Sequence, residues 1–224
     1  MHHPLSEWTT AVLAQWKMIQ PYSSQYLTPT KDFRRLSVLL CIHDAPSASQ
    51  HKIAQSSKLS SSMVNNYIKL FKEEKLITVE GDTNRTLSYH LTSLGHSALR
   101  ESLLSYSIEI MQLYSSAKQE IAQILNDFYE EGIRSLVLFG AADTAEVVHA
   151  AIKLTPIVVI GVVDSDKAKQ GRTFNGLVVQ PPETLRRLEP DAVLITSFAW
   201  QEEIHAHIRQ MVSNRIKVKK LSDL

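Results

Sequence analysis

Hydrophobic residues recur at helical spacing in the first part of the chain. They predict an amphipathic helix over residues 4–20, a linker over 21–30 where prolines and hydroxyl residues collect, and an apolar helix from Phe33 to about Pro46. The first helix carries two tryptophans, which need an apolar surface to pack against. We therefore expect an N-terminal helix and linker over residues 1–30, followed by a folded domain.

Two short helical patterns and two alternating runs come next. The helical patterns cover residues 47–57 and 60–75, and serines suited to cap a helix open each of them. Residues 76–80 and 86–91 alternate apolar and polar side chains, which is typical of β-strands, and a polar loop joins them. This order predicts a helix-turn-helix followed by a hairpin, the outline of a winged helix.

A long helical pattern runs over residues 92–131 and is interrupted at most once. Beyond Gly132, short and continuously apolar runs alternate with helical segments, which indicates a mainly parallel sheet. The predicted strands are 135–139, 157–163, 177–179, 192–196 and 216–220, with helices at 143–154, 182–188 and 200–212 between them. The fold class is thus α+β followed by α/β, with a long helix linking the two.

The composition of the chain restricts its possible partners and location but does not indicate a function. The 224 residues are 44% hydrophobic and carry a formal net charge of +1, so any contact with nucleic acid depends on a local patch. Cys41 is the only cysteine, which fits a reducing compartment. No apolar run approaches the length of a membrane span, and the N-terminus lacks the features of a signal peptide. We expect a cytoplasmic protein that does not enter a membrane.

The most informative stretch is Leu59 to Gly95, LSSSMVNNYIKLFKEEKLITVEGDTNRTLSYHLTSLG. It resembles the winged-helix domains of MarR-type regulators in its recognition helix, its two wing strands and its closing Leu-Thr-x-x-Gly. The resemblance covers about residues 33–105 and implies a fold that binds DNA. Where those regulators usually have a glycine, at the end of the recognition helix, this chain has Lys75.

One face of the predicted recognition helix is apolar, and the other is free to contact DNA. The free face carries short polar or basic side chains that could reach base edges in the major groove: Ser61, Ser62, Asn65, Asn66 and Lys69. Lys52, Lys58 and Arg85 are candidates for phosphate contacts. Over residues 31–90, nine Lys and Arg face six Asp and Glu, which is a weak basic excess. The alternative is a winged helix that contacts only proteins.

Dimerisation would strengthen DNA binding, because a dimer contacts two half-sites. The helix over 92–131, together with the N-terminal helix, is the candidate surface for a homodimer. The alternative is that this helix packs only within its own chain.

Ser135 to Ala145 forms an apolar strand, a turn of small residues and a helix start, the arrangement that holds a nucleotide phosphate. Asp164 follows Gly140 by 24 residues, the spacing of an acid that accepts hydrogen bonds from ribose. Ala142 stands where the fingerprint has its second glycine, and Asp143 adds negative charge. Both features argue against a standard NAD pose.

The segment from Leu136 to Ser197, with FGAADTAEVV, VIGVVDSD and PDAVLITS, is similar to a group of small Rossmann-like domains. These occur in CoA-binding proteins and in bacterial polysaccharide-biosynthesis and sugar acyltransferase proteins. The resemblance implies a bound nucleotide, nucleotide-sugar, CoA or NAD. It assigns the ligand to Gly140, Ala141, Ala142, Asp143, Thr144, Asp164, Thr196 and Ser197. The alternative is a degenerate domain retained for packing or dimerisation.

Two other patterns bear on catalysis or metal binding. Tyr114 and Lys118 have the spacing of a dehydrogenase pair, but they precede the glycine turn instead of following it. His205 and His207 point to different sides of a helix and have no third ligand nearby. We therefore predict no catalytic residues and no metal site.

Together these patterns predict four segments: an N-terminal helix and linker (1–30), a winged helix (31–105), a linking helix (106–131) and a Rossmann-like domain (132–224). The functional hypothesis is a DNA-binding transcription regulator, not an enzyme, that senses a nucleotide-containing metabolite. The alternative is an enzyme or accessory subunit of nucleotide-sugar or acyl-CoA metabolism, with the winged helix as a docking module.

Overall fold

A computed structural model of the chain describes residues 27–83, 86–213 and 215–221. The helix predicted over residues 4–20 lies outside these ranges. The chain divides into two compact units, with the boundary between Ile110 and Met111. Each unit has a hydrophobic core of its own.

Three helices open the first unit, and a hydroxyl side chain caps the start of each. The helices are α1 (Lys31–Asp44), α2 (Gln50–Ser57) and α3 (Ser61–Glu73). The caps are Thr30, Ser49 and Ser60, which accept backbone N–H hydrogen bonds of 3.1, 3.3 and 3.2 Å from residues three positions on. These contacts satisfy amides that a helix start otherwise leaves without a partner.

An antiparallel hairpin follows the three helices. Its strands are β1 (Ile77–Glu80) and β2 (Ser88–Leu91), with Ile77 opposite Leu91. Tyr89 anchors the hairpin, because its side chain is buried and its backbone N–H donates to the carbonyl of Pro46 at 2.8 Å. The arrangement of three helices and a hairpin is that of a winged helix. Its most deeply buried side chains are Val38, Leu39, Ile42, Ile53, Val64, Phe71 and Tyr89.

The connection from α3 to β1 requires an unusual backbone conformation. Lys75 has φ +59°, in the left-handed region that glycine adopts more easily than other residues. This is the position at which the sequence has a lysine in place of the glycine usual in MarR-type regulators. The lysine therefore keeps the glycine-like turn.

A single long helix, α4 (Ser93–Glu130), follows the hairpin, as the pattern predicts. In the first unit, its residues Leu99 and Leu103 belong to the buried core. In the second unit, its residues Leu125 and Phe128 belong to the core beneath the sheet.

The second unit is built on a six-stranded sheet in the order β5-β6-β4-β3-β7-β8. The strands are β3 (Ser135–Phe139), β4 (Val158–Val163), β5 (Thr173–Phe174), β6 (Leu177–Gln180), β7 (Ala192–Ile195) and β8 (Lys217–Lys220). All neighbours pair in parallel except β5 and β6, which form an antiparallel hairpin. The sequence pattern did not predict β5.

Helices cover both faces of this sheet. They are α5 (Asp143–Ile152), a 3₁₀ turn (Pro182–Thr184) that leads into α6 (Leu185–Leu188), and α7 (Gln201–Met211). One face packs against α5 and the last turns of α4, whereas the other packs against α6 and α7. The α/β architecture predicted from alternating apolar runs and helical segments is thus confirmed. Among the helices of the described ranges, none combines the length and the hydropathy needed to cross a bilayer.

Candidate functional site

The first candidate site is the solvent-facing side of α3. Its opposite side is held in the core by Val64, Ile68 and Phe71, each less than 5% exposed. Tyr67 is buried beside them, and its hydroxyl donates to the carbonyl of Lys31 at 3.3 Å. The sequence pattern did not include Tyr67 in the core. These contacts fix the orientation of the helix in the unit.

The predicted base-reading residues share the other side of α3. Ser61, Ser62, Asn66 and Lys69 are exposed, and Asn65 is half-buried. Ser62 Oγ lies 3.0 Å from the Ser60 hydroxyl. Within the described ranges, the side chains of Asn65, Asn66 and Lys69 make no hydrogen bond or ion pair. Their donors and acceptors are therefore available to a partner.

The predicted phosphate-binding residues lie on neighbouring elements. Lys52 is exposed in the first turn of α2, and Lys58 ends that helix in the left-handed conformation with φ +52°. Arg85 lies outside the described residues. Near the tip of the hairpin, Gly81 has φ +101°, and a Cβ atom there would lie 2.3 Å from the carbonyl oxygen of Thr86. The hairpin therefore requires glycine at this position.

The Leu-Thr-x-x-Gly motif joins the base of the hairpin to α4. The Thr92 N–H donates to the carbonyl of Leu76 at 2.9 Å, and the Thr92 hydroxyl donates to the carbonyl of Lys75 at 2.8 Å. The N–H of Gly95 donates to the same hydroxyl at 3.0 Å. A Cβ atom on Gly95 would lie 2.0 Å from the Leu76 carbonyl oxygen. The motif therefore has a structural role, because it joins the turn before β1 to the start of α4. The residues predicted to contact bases lie on α3 instead.

The second candidate site is the crevice at the carboxyl ends of β3, β4 and β7. Gly140 directly follows β3 and has φ +113°, and its N–H donates to the carbonyl of Val163 at 2.8 Å. Thr196 is buried, and its hydroxyl lies 2.9 Å from the carbonyl oxygens of both Phe139 and Gly140. A Cβ atom on Gly140 would lie 2.9 Å from that hydroxyl, so the turn requires glycine.

The start of α5 offers backbone donors to this crevice. Ala142 precedes the helix in an extended conformation, with φ −134°, and provides no side-chain cap. In the described structure, the N–H groups of Asp143 and Thr144 therefore lack a protein acceptor. Such N–H groups favour an anion, although the carboxylate of Asp143 adds an opposing charge.

Asp164 closes the crevice beside β4. Its carboxylate accepts hydrogen bonds from the N–H of Ala141 at 2.8 Å, the N–H of Asp166 at 2.9 Å and the ammonium of Lys169 at 3.0 Å. Burial acts to raise the pKa of Asp164, but the donors of Asp166, Ala141 and Lys169 outweigh it, so the pKa lies below its usual value. The carboxylate is therefore charged at neutral pH and holds the turn at Ala141.

The structure thus brings several predicted ligand residues together. Gly140 touches Thr196, and Ala141 is bonded to Asp164, while Ser197 follows Thr196 and is half-buried. Two exposed aromatic residues after β7, Phe198 and Trp200, were not singled out from the sequence, although their place directly after a buried strand could have indicated them.

A separate cavity of this unit lies away from the crevice. It measures about 350 Å³ and is lined by residues at the end of α5 and the start of β4, including His149, Lys153 and Val158. This is the amino edge of the sheet, whereas the crevice lies at the carboxyl edge. In the described ranges, no group of three His, Cys, Asp or Glu side chains could hold a metal ion.

Residues 132–219 match the protein family described as C2185-like, N-terminal. No curated protein matches the chain in sequence.

Similar solved structures include two transcription regulators that align with the N-terminal part. BpsR of Bordetella bronchiseptica, whose DNA binding is regulated by 6-hydroxynicotinic acid, is 21% identical, with 46% of this chain and 75% of that chain covered and a TM-score of 0.32. MepR of Staphylococcus aureus, a regulator of the multidrug efflux pump MepA, is 17% identical, with 46% and 76% covered and a TM-score of 0.34. UDP-D-quinovosamine 4-dehydrogenase of Vibrio fischeri is 19% identical, with 41% and 82% covered and a TM-score of 0.32.

Proposed function

We propose that this protein is a transcription regulator that binds double-stranded DNA through α3. The observation that carries the proposal is the division of that helix into a buried face and a polar face with unengaged side chains. Asn65 and Asn66 are adjacent on the polar side, and within the described ranges their side-chain amides have no hydrogen-bond partner. Asparagine amides can pair with the N6 and N7 groups of adenine in the major groove.

Contacts to phosphates would position α3 on the duplex. Lys52 and Lys58 belong to the element before α3, and Arg85 falls between the two wing strands in the sequence. This distribution matches a docking mode in which the recognition helix enters the major groove and flanking elements contact the backbone. With only three such cations, binding should be weak for one copy and should fall steeply with salt.

The protein acts as a homodimer in this proposal. In α4, Leu104 and Ile108 are 63% and 46% exposed and lie four residues apart, so they form an apolar stripe on one side of the helix. An exposed stripe of this kind is costly in water and is suited to contact a second copy. A dimer would present two copies of α3 to two half-sites.

The second unit is proposed to sense a nucleotide-containing ligand as a Rossmann-like domain. The support is the strand order, in which chain connections run outward from β3 in both directions, so that a crevice opens between the carboxyl ends of β3 and β7. Ligands of open α/β sheets bind at this point. Gly140 and the uncapped start of α5 lie at the crevice, where they would hold phosphate, with Asp164 and Ser197 at its sides.

Selection of DNA from a randomised duplex pool tests the proposal. The purified full-length protein should enrich an inverted repeat whose half-sites are about 10 base pairs apart, or a multiple of that spacing. Failure to enrich any sequence at low salt would contradict the proposal, since electrostatic attraction is then at its strongest. Native mass spectrometry of the same sample should show a dimer.

A further inference from the structure

The loop that follows β4 places a lysine against the acid predicted to bind ribose. Lys169 Nζ lies 3.0 Å from Asp164 Oδ2. The lysine side chain is 34% exposed, whereas the aspartate side chain is only 10% exposed. A ligand that enters the crevice at this position therefore meets the ammonium more readily than the carboxylate.

The carboxylate has little hydrogen-bonding capacity left for a ribose. Its Oδ2 atom accepts from both the Ala141 N–H and Lys169, and its Oδ1 atom accepts from the Asp166 N–H. A carboxylate has about four acceptor positions, two on each oxygen. A ribose diol that donates one hydroxyl to each oxygen would have to displace a partner from Oδ2.

The ammonium, in contrast, has spare donors. Lys169 carries three N–H groups and uses one of them on Asp164. Lys167 and Arg172 are exposed in the same loop, and within the described ranges neither forms an ion pair. With Asp164 and Asp166, the loop holds three cations and two carboxylates. The loop therefore carries a net positive charge. The hydroxyl groups of a free ribose would instead need hydrogen-bond acceptors at this place.

On the basis of the ligand site proposed above, we propose that this site selects nucleotides with a phosphate on the 2′ or 3′ oxygen of the ribose, and that Lys169 binds this phosphate. Such a phosphate supplies the acceptors that Lys169 lacks, and basic groups at this strand end are the usual partners of a ribose phosphate in dinucleotide-binding folds. A ribose with free hydroxyls supplies donors to an acid that is already engaged.

Isothermal titration calorimetry of the full-length protein at low salt tests this selectivity with two matched ligand pairs. NADP⁺ and NAD⁺ differ by the 2′ phosphate, and CoA and dephospho-CoA differ by the 3′ phosphate. UDP-glucose serves as a fifth ligand with a free diol. We expect the phosphorylated member of at least one pair to bind at least about tenfold more tightly than its partner. The pair that shows this gain identifies the phosphorylated oxygen.

Variants then test the role of Lys169. The gain should disappear in Lys169→Gln, persist in Lys169→Arg, and be unchanged in Lys153→Gln, which removes an exposed lysine at the other edge of the sheet. Thermal melting of each variant separates loss of binding from loss of folding. A gain that persists in folded Lys169→Gln overturns the assignment of this residue.

The outcomes for the wild type separate this inference from the proposed function. If a ligand with a free diol binds as tightly as its phosphorylated partner, or if UDP-glucose binds most tightly, the selectivity is wrong and the ligand site stands. If none of the five ligands binds at millimolar concentration, the ligand site itself is wrong and the inference is wrong with it.

Discussion

Replacement of Gly95 by alanine should unfold the first unit at a much lower temperature than the wild type. Gly95 lies in the first turn of α4 and is buried against the carbonyl of Leu76, at the turn between α3 and β1. A methyl group there would lie 2.0 Å from that oxygen, well short of the 3.4 Å at which ordinary contact begins. The obstructing atom belongs to the backbone, so α4 and the hairpin would have to separate.

The cost of this separation combines three effects. Overpacking of a tight contact costs about 3 kcal/mol at the upper end of its usual range. The hydrogen bond from the Thr92 N–H to the Leu76 carbonyl would be lost, at about 1 kcal/mol. Alanine recovers about 1 kcal/mol because it favours helix more than glycine does. The unit should thus lose about 3 kcal/mol, which lowers the melting temperature of a small domain by about 15 °C.

Differential scanning calorimetry measures this effect, because it can resolve the unfolding of the two units. Leu94→Ala is the matched control: this neighbour is 56% exposed, and its loss should change stability by less than about 0.5 kcal/mol. If the melting temperature of the first unit is unchanged in Gly95→Ala, the contact between Gly95 and Leu76 does not join the hairpin to α4.

Three further predictions concern single side chains. Lys75→Gly should stabilise the first unit by up to about 1 kcal/mol in urea unfolding, because glycine relieves the left-handed strain; destabilisation would argue against the positive φ. Burial, with a smaller effect from Asp44, raises the pKa of Cys41 to about 11, so its reaction with a disulfide reagent at pH 8 should be about 100-fold slower in native than in unfolded protein. The pKa of Asp164 is lowered by folding, so its contribution to stability is present above about pH 4 and is lost as pH falls further. In Asp164→Asn, the second unit should be less stable at pH 7 and less sensitive to acid below about pH 4; an acid response equal to that of the wild type would contradict this.

The sequence predicted the helices and most strands because apolar periodicity directly reflects which residues are buried. The helix predicted over 92–131 is observed over Ser93–Glu130, and the strand predicted over 135–139 has the same bounds. The failure to predict β5 from the sequence has a specific cause. Asn175 and Gly176 have φ +47° and +86° and form the two-residue turn of the β5–β6 hairpin, for which Asn-Gly is a strong signal. The strand before the turn is only two residues long and shows no periodicity.

Less of the ligand crevice could be predicted from the sequence. The spacing from Gly140 to Asp164 placed the acid beside the turn, where it bonds to Ala141. The ion pair with Lys169 was not predicted, because it depends on how the loop after β4 folds back on itself. The contacts of Thr196 were not predicted either, because its hydroxyl contacts the carbonyl groups of Phe139 and Gly140, which are distant from Thr196 in the sequence. Contacts between loops can be identified only when the three-dimensional structure of the loops is known.

The most direct test of DNA recognition compares duplex binding by three proteins in fluorescence anisotropy, with the sequence that the selection enriches. They are the wild type, the double variant Asn65→Ala/Asn66→Ala, and Asn126→Ala, which removes an exposed asparagine from α4. The double variant should remain folded and bind at least about tenfold more weakly, with its preference over random DNA reduced, because each bidentate contact to a base contributes about 1–3 kcal/mol. Asn126→Ala should bind as the wild type does. Equal binding by all three proteins would show that α3 does not read the DNA.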